Sequence, residues 1–128
     1  MKGLKDCDSG ITQRIIKCAI EVHRNLGPGL LESVYEKALC IEIALEGISV
    51  EQQVECQVQY KGQELGLAFR ADLIVEKRLL LEIKSVLNIA DVHIAQTITY
   101  LRLFKIKRGL ILNFNKPRLV DGIRRIAI

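Results

Sequence analysis

Residues 70–85 contain the ionisable side chains whose types and spacing best suit catalysis. They read RADLIVEKRLLLEIKS, which predicts two β-strands joined by a short charged turn. If that turn contains three residues, Asp72 lies directly opposite Glu82, and the period of two places Lys84 on the same face of the sheet. The other face is expected to be uniformly apolar and to carry Ala71, Leu73, Val75, Leu79, Leu81 and Ile83.

The opposed carboxylates of Asp72 and Glu82 need a partner of opposite charge, because like charges across a ladder destabilise the strand pair. Burial strengthens this conflict, since it disfavours the charged form of each acid. A bound divalent cation removes the conflict, and oxygen ligands of this kind suit Mg²⁺ or Mn²⁺. An Asp–Lys or Glu–Lys ion pair on an exposed sheet face explains the same spacing without a cation. The spacing alone does not distinguish between the bound cation and the ion pair.

Length and composition indicate one soluble globular domain that covers residues 1–128. Hydrophobic residues make up 49% of the chain and charged residues 27%, as in folded proteins. No apolar run approaches the roughly 20 residues of a membrane span, and no signal peptide is evident, so a cytoplasmic protein without membrane association is expected. The cysteines form no C-x-x-C pair and are expected to be buried free thiols: Cys7, Cys18, Cys40 and Cys56.

Positive charge is concentrated in residues 102–128, which carry a net charge of +7 and leave −3 for residues 1–101. A basic segment joined to an acidic catalytic candidate is typical of a surface that binds a polyanion. A solvated basic face without a partner is the alternative. The basic residues are Arg102, Lys105, Lys107, Arg108, Lys116, Arg118, Arg124 and Arg125, against a single acid, Asp121.

Two helices are expected before the first strand. The first should begin at Asp8 or Ser9 and end near residues 25–27, and the second should run over about 30–46 with Gly47 as its C-terminal cap. The side expected to face the core carries Leu31, Val34, Ala38 and Leu45, and a neighbouring strip carries Glu32, Tyr35 and Leu39. The helix dipole favours a carboxylate in the first turn whatever its role, so position alone explains Glu32.

The rest of the chain predicts an antiparallel meander followed by a helix and two more strands. Strands are expected over residues 54–60, from about 67 through the Asp72 segment, and over 79–84; a helix follows over 91–104, and short strands over 109–114 and 123–128. In that helix Gln96 and Tyr100 share one face, and a hydrogen bond between them is one way to satisfy the amide. His93 lies one turn earlier and is more typical of a structural histidine than of a catalytic one.

Three motifs in this chain resemble the PD-(D/E)XK nuclease superfamily. Asp72 followed by Glu82-Ile83-Lys84 resembles its D…(D/E)xK signature, although Ala71 replaces the proline. Residues 29–39, GLLESVYEKAL, resemble the GxxExxYxxAL pattern of the GxxExxY family within that superfamily. Gln96 and Tyr100 match a QxxxY motif found in several of its branches.

The resemblance implies an α/β fold with a restriction-endonuclease-like core, in which helices flank a mixed sheet of four or five strands. It also implies metal-dependent hydrolysis of phosphodiester bonds in nucleic acid, with DNA as the expected substrate. Asp72, Glu82 and the main-chain carbonyl of Ile83 would hold Mg²⁺, with Glu32 as an added ligand. Lys84 would orient the attacking water, Gln96 would position water or phosphate, and Tyr100 would hold Gln96.

Two functions therefore remain open at the level of sequence. One is a Mg²⁺-dependent nuclease, for which Mn²⁺ is expected to substitute. The other is a non-catalytic module that binds nucleic acid or protein on a nuclease-like scaffold. The intact set of Glu32, Asp72, Glu82 and Lys84 favours the enzyme. A homodimer is a further open alternative.

Overall fold

The computed structural model describes residues 2–128, with side chains from Gly10 onward, so the side chains of Cys7, Asp8 and Ser9 lie outside the described residues. Three α-helices and five β-strands follow one another in a single α/β arrangement. In chain order they are α1 Lys2–Leu26, α2 Glu32–Leu45, β1 Val50–Tyr60, β2 Gln63–Val75, β3 Leu79–Lys84, α3 Asp91–Phe104, β4 Arg108–Asn113, a short 3₁₀ helix Leu119–Gly122 and β5 Ile123–Ala127.

The strands form one mixed sheet in the order β1-β2-β3-β4-β5, as the predicted fold class requires. Strands β3 and β4 run parallel and are connected through α3, whereas the other neighbours run antiparallel. The turn between β2 and β3 has the predicted three residues, because Val75 pairs with Leu79 and Leu73 pairs with Leu81. Strands β1 and β2 pair over nearly their whole lengths and form a two-stranded ribbon that extends past β3.

Both faces of the sheet are covered by helices. Helices α1 and α2 pack with Leu73, Leu81 and Ile83 on one face, and α3 packs with Ile74 and Leu80 on the other. Five of the six residues predicted for the uniformly apolar face lie on the α1–α2 side. Ala71 is the exception and packs on the α3 side, so that prediction was wrong for Ala71. None of the described helices combines the length and apolar character of a membrane span.

Helix α1 begins at Lys2, earlier than the predicted start at Asp8 or Ser9, and ends at Leu26 as expected. Helix α2 is slightly shorter than predicted, Glu32–Leu45 rather than about 30–46, and Gly47 lies just beyond its end at a positive φ of 74°. Its predicted core face was wrong for the exposed Leu31, Val34 and Leu45, whereas Ala38 packs against the core. Apolar residues occur on both sides of this helix, and the large side chains at four-residue spacing form the buried face instead: Tyr35, Leu39 and Ile43.

Tyr35 connects α2 to the turn that precedes it. Its hydroxyl donates a hydrogen bond to the carbonyl oxygen of Gly27 (2.5 Å) and accepts one from the amide of Leu30 (3.0 Å). Its ring is fully buried and stacks on Phe114, with 4.4 Å between ring centroids. Gly29 adopts a φ of 93°, which a residue with a Cβ rarely tolerates. The GxxExxY pattern therefore describes a buried tyrosine that holds the start of α2 in place.

The cysteines of the described side chains are free, as expected. Cys18 is buried, whereas Cys40 and Cys56 are half-buried. Burial raises the pKa of the Cys18 and Cys40 thiols, with nearby glutamates adding to the shift, so both thiols are held in the protonated form.

We expect Tyr35→Phe to lower the free energy of unfolding by about 1–3 kcal/mol, because it removes two hydrogen bonds that each contribute about 0.5–1.5 kcal/mol. Chemical denaturation followed by circular dichroism measures the change. Tyr60→Phe is the matched control, since the Tyr60 side chain is 62% exposed and its loss should be nearly neutral. Equal effects of the two substitutions would contradict the role assigned to Tyr35.

Candidate functional site

Strands β2 and β3 separate at Asp72, and carboxylates replace the sheet hydrogen bonds there. Ladder pairing between the strands ends at Leu73 and Leu81. Beyond that rung, the amide of Asp72 donates to Oε2 of Glu82 (3.1 Å), and the amide of Ile83 donates to Oδ2 of Asp72 (2.8 Å). Each strand thus satisfies a backbone amide with the acidic side chain of the other. The two predicted carboxylates face each other, as the sequence indicated.

Burial places these two acids under electrostatic strain. Glu82 is 5% exposed and Asp72 is half-buried. Desolvation, together with the charge of Asp72, raises the pKa of Glu82 to about 8, although the amide of Asp72 and the charge of Lys84 oppose the shift. Desolvation also raises the pKa of Asp72, against the lowering effect of the Ile83 amide. The exposed-face interpretation of the sequence was wrong, because Glu82 belongs to the interior.

Lys84 lies beside both acids at the end of β3, and its charge lowers the pKa of each. The salt bridges between described side chains join Arg24 to Glu21 and Arg70 to Glu55, and neither includes Lys84. Its ammonium therefore forms no ion pair within 4.0 Å of Asp72 or Glu82. The interpretation of Lys84 as a simple structural ion pair loses its support.

Glu32 lies in the first turn of α2 and faces the same end of the sheet. Its Oε2 accepts a hydrogen bond from the amide of Ser85 (3.2 Å), directly after β3, and the hydroxyl of Ser85 donates to the carbonyl oxygen of Leu30 (2.7 Å). The charge of Glu32 contributes to the raised pKa of Asp72. Glu32 is thus electrostatically coupled to the site, while its carboxylate also ties α2 to the end of β3.

Two further residues at the site were missed by the sequence analysis. Glu36 lies one turn after Glu32, is 9% exposed and has a pKa raised by desolvation. Gln53 in β1 donates its amide to both oxygens of Glu36 (2.9 and 2.8 Å) and lies 3.4 Å from Oδ1 of Asp72. No sequence motif distinguishes either residue. The only available signal is the spacing of four between Glu32 and Glu36, which puts both carboxylates on one side of α2.

Helix α3 contributes the predicted polar pair. The amide of Gln96 donates to the hydroxyl of Tyr100 (3.0 Å), as expected. The Gln96 side chain is exposed rather than buried among apolar neighbours, and Tyr100 is 7% exposed with a pKa raised by desolvation and by the charge of Glu82. His93 accepts a hydrogen bond from the amide of Ala90 at Nδ1 (3.0 Å), which supports its structural interpretation.

The connection after β3 is fixed by polar side chains at the end of β4 and in the segment that follows it. Asn113 is fully buried, accepts from the amide of Val86 (3.1 Å) and donates to its carbonyl oxygen (2.9 Å). The ammonium of Lys116 donates to the carbonyl oxygen of Leu87 and to Oδ1 of Asn88, at 2.9 Å each. Lys116 therefore has a structural role, because it holds the connection after β3 beside the site.

The basic residues of the C-terminal segment do not form one continuous surface. Lys84 and the site lie at the C-terminal end of β3, whereas Arg108 pairs with Leu79 at its N-terminal end, called the far end of the sheet here. The C-terminus of α3 also lies at the far end. The residues at the far end are Arg102, Lys105, Lys107 and Arg108, whereas Lys116 and Arg118 follow β4 at the end of the sheet that carries the site.

Strand β5 places Arg124 and Arg125 on opposite faces of the sheet. Arg124 pairs with Ile111, which in turn pairs with Glu82, and cross-strand neighbours share a face. Two strand spacings separate Arg124 from Glu82, or about 10 Å. Arg125 pairs with Leu110 and lies on the α1 side. Both side chains are exposed, but only Arg124 shares the face of the acidic site.

A family model described as the PD-(D/E)XK nuclease superfamily matches residues 9–126, which is nearly the whole sequence. The chain belongs to the PD-(D/E)XK nuclease superfamily. Its mixed five-stranded sheet flanked by three helices is consistent with the restriction-endonuclease-like fold of that superfamily. No curated protein and no solved structure matches the sequence. Assignment to the GxxExxY family within the superfamily stays a prediction.

PD-(D/E)XK nucleases typically use divalent metals, and the residues at the site can be compared with that requirement. Among the described side chains, no group of three or more His, Cys, Asp or Glu could hold a metal ion. Asp72 and Glu82 instead form a pair of hard oxygen donors, and burial together with the charge of Asp72 raises the pKa of Glu82. Mg²⁺ is commonly bound by one or two carboxylates and retains several waters, so this pair fits it.

We expect the metal-free PD-(D/E)XK domain to lose stability as the pH rises from about 4.5 to about 8, because folded Glu82 retains a proton that the unfolded chain releases. The sign follows from the raised pKa, since a proton bound more tightly in the folded state stabilises that state at low pH. Melting temperatures in EDTA across this interval measure the slope.

Glu82→Gln is the control, since the neutral amide still offers an oxygen to the amide of Asp72. Its slope should be shallower than that of the wild type, with the remainder due to Asp72 and Glu36, whose pKa values are also raised. Identical slopes would show that Glu82 does not carry the pH dependence.

Proposed function

We propose that this protein is a Mg²⁺-dependent nuclease that hydrolyses phosphodiester bonds in DNA. The observation that carries the proposal is the pair of the half-buried Asp72 and the buried Glu82, which face each other where β2 and β3 separate. No cationic side chain among the described residues lies within 4.0 Å of either carboxylate. Two ionised carboxylates in this position repel each other, so the pair favours the binding of a proton or of a cation. Membership in a superfamily of nucleases supports the same conclusion.

The proposed ligands of Mg²⁺ are the carboxylates of Asp72 and Glu82 and the carbonyl oxygen of Ile83. When bound, the ion supplies Lewis acidity toward water and neutralises charge on phosphate oxygens. Glu32 is proposed as an added ligand that binds the metal or its water, although its carboxylate also accepts a hydrogen bond from the amide of Ser85.

Lys84 is the proposed electrostatic catalyst. Its ammonium lies beside the carboxylates without an ion pair, which leaves its donors available to the attacking water and to the phosphate. The positive charge stabilises the extra negative charge that develops on the phosphoryl oxygens as the water attacks. Hydrolysis forms one bond from the water oxygen to phosphorus and breaks one bridging P–O bond, and the leaving oxygen takes up a proton. Gln96, held by Tyr100, is proposed to position the water or the phosphate.

We expect Lys84→Ala to reduce Mg²⁺-dependent cleavage by roughly 100-fold or more, the usual scale for losing one electrostatic stabiliser. The melting temperature should change little, because the side chain forms no ion pair. A panel of labelled single-stranded, duplex and branched DNA and RNA substrates provides the assay, and binding measured in Ca²⁺ should change much less than cleavage.

Lys17→Ala is the matched control, since Lys17 is an exposed lysine of α1 and lies apart from the site residues. It should cleave at the wild-type rate. If Lys84→Ala cleaves as fast as the wild type, or if the wild type cleaves no substrate of the panel with Mg²⁺ or Mn²⁺, the catalytic proposal fails. A non-catalytic module that binds nucleic acid or protein then takes its place.

The position of the basic residues suggests which of them contact the substrate. Arg124 shares the face of the acidic site, and Arg118 follows β4 at the same end of the sheet. These two are proposed as phosphate contacts. The predicted contacts at the far end are proposed only for a substrate long enough to cross the sheet: Arg102, Lys105, Lys107 and Arg108.

We expect Arg124→Ala to flatten the dependence of DNA affinity on salt by about one unit of slope, the contribution of about one phosphate contact. The adjacent Arg125→Ala removes the same charge from the opposite face and should leave the slope unchanged. Fluorescence anisotropy of a labelled duplex in Ca²⁺, measured over a range of NaCl concentrations, gives both slopes. Equal slopes for the two variants would show that the DNA does not lie on the α3 face.

A further inference from the structure

Gln53 occupies a strained backbone position inside a regular strand pair. Its φ is 50°, in the left-handed region that side chains with a Cβ rarely adopt. The register is unbroken around it, since Gln52 pairs with Leu73 and Val54 pairs with Ala71. The other described non-glycine residues with positive φ lie in turns or at a helix end: Lys61, Glu76, Lys77 and Lys105. Strain of this kind persists only where surrounding structure or function requires it.

The kink at Gln53 has one structural consequence. Val50 packs on the α1–α2 face, whereas Val54, four residues later, packs on the α3 face. Residues four apart in a regular strand share a face, so the ribbon changes faces at the kink. Ala71 lies opposite Val54 and follows it to the α3 face. A glycine would form this kink with less strain, so the kink alone does not explain a glutamine.

The Gln53 side chain instead links two acids of the site. Its amide donates to both oxygens of the buried Glu36 carboxylate (2.9 and 2.8 Å) and lies 3.4 Å from Oδ1 of Asp72. The other oxygen of Asp72, Oδ2, accepts the amide of Ile83. Both oxygens of the Asp72 carboxylate therefore face a donor, and these contacts restrict its rotation.

We propose that Gln53 is a positioning residue, anchored by Glu36, that holds the Asp72 carboxylate in the orientation that binds the divalent cation. This inference rests on the proposed function, because it assigns Asp72 to that cation. Partners of metal-binding side chains typically contribute 10–100-fold to metal affinity by fixing the orientation of the ligand. Gln53 and Glu36 touch neither the ion nor the substrate in this role.

Gln53→Gly tests the side chain without removing the kink, because glycine adopts the same φ. We expect the Kd for Mn²⁺, measured by isothermal titration calorimetry on the full chain without nucleic acid, to rise about 10-fold or more. The melting temperature of the metal-free variant reports on folding separately, because glycine relieves the backbone strain at this position while the buried Glu36 carboxylate loses two hydrogen bonds. A merely structural role for the side chain would lower the melting temperature and leave the Kd unchanged.

Lys61→Gly is the matched control. Lys61 has the same φ of 50°, but it lies at the tip of the ribbon, where its side chain is exposed. This substitution should relieve similar strain and leave the Kd for Mn²⁺ at the wild-type value. Equal affinities of the wild type and Gln53→Gly would overturn the inference and leave the proposed function intact. A wild type that binds no Mn²⁺ would overturn both.

A double-mutant cycle tests the anchoring by Glu36. If Glu36 acts through Gln53, Glu36→Ala should raise the Kd for Mn²⁺ by a smaller factor in the Gln53→Gly background than in the wild type. An equal factor in both backgrounds would show that Glu36 acts independently, through its charge, and would overturn its role as the anchor.

Discussion

The rest of this structure depends on a reciprocal pair of hydrogen bonds between β2 and β3, in which the carboxylates of Glu82 and Asp72 accept the backbone amides of Asp72 and Ile83. Two buried strands can separate only if their freed amides find other partners. Here the amide of Asp72 finds the Glu82 carboxylate, and the amide of Ile83 finds the Asp72 carboxylate. Beyond this point β2 and β3 no longer pair with each other, and β2 remains paired with β1 while β3 remains paired with β4. The carboxylates therefore create the separation and at the same time line it.

The elements around this separation are positioned by side chains that form hydrogen bonds with backbone amides and carbonyl oxygens. Tyr35 fixes the turn before α2, Asn113 fixes the connection after β3, and Glu32 ties α2 to that connection. Gly122 permits the close packing beside Asn113, since a Cβ at that position would lie 2.2 Å from the Asn113 carbonyl oxygen. The polar residues near the site are thus not equivalent. Several of them hold the chain, and few have free donors or acceptors to offer a ligand.

The sequence contained enough information to place the central pair but not its surroundings. A three-residue turn and the period of two suffice to set Asp72 opposite Glu82. Helix α2 was harder, because apolar residues occur on both of its sides and only packing selects Tyr35 over Leu31. Gln53 could not be found, since a change to positive φ within a strand leaves no mark in the alternation of polar and apolar residues. The opposite faces of Arg124 and Arg125, by contrast, follow from the period of two.

The double role of the acids determines how substitutions at this site should be interpreted. Replacing Asp72 or Glu82 by alanine leaves a buried amide without an acceptor, so a loss of activity would combine misfolding with lost chemistry. The amides Asn and Gln keep an acceptor oxygen and remove the charge, which separates the electrostatic role from the structural one. Lys84 forms no ion pair with either acid, and its removal leaves the hydrogen bonds between the two carboxylates and the backbone amides intact. Lys84 is therefore the position at which chemistry can be changed with the least effect on the fold.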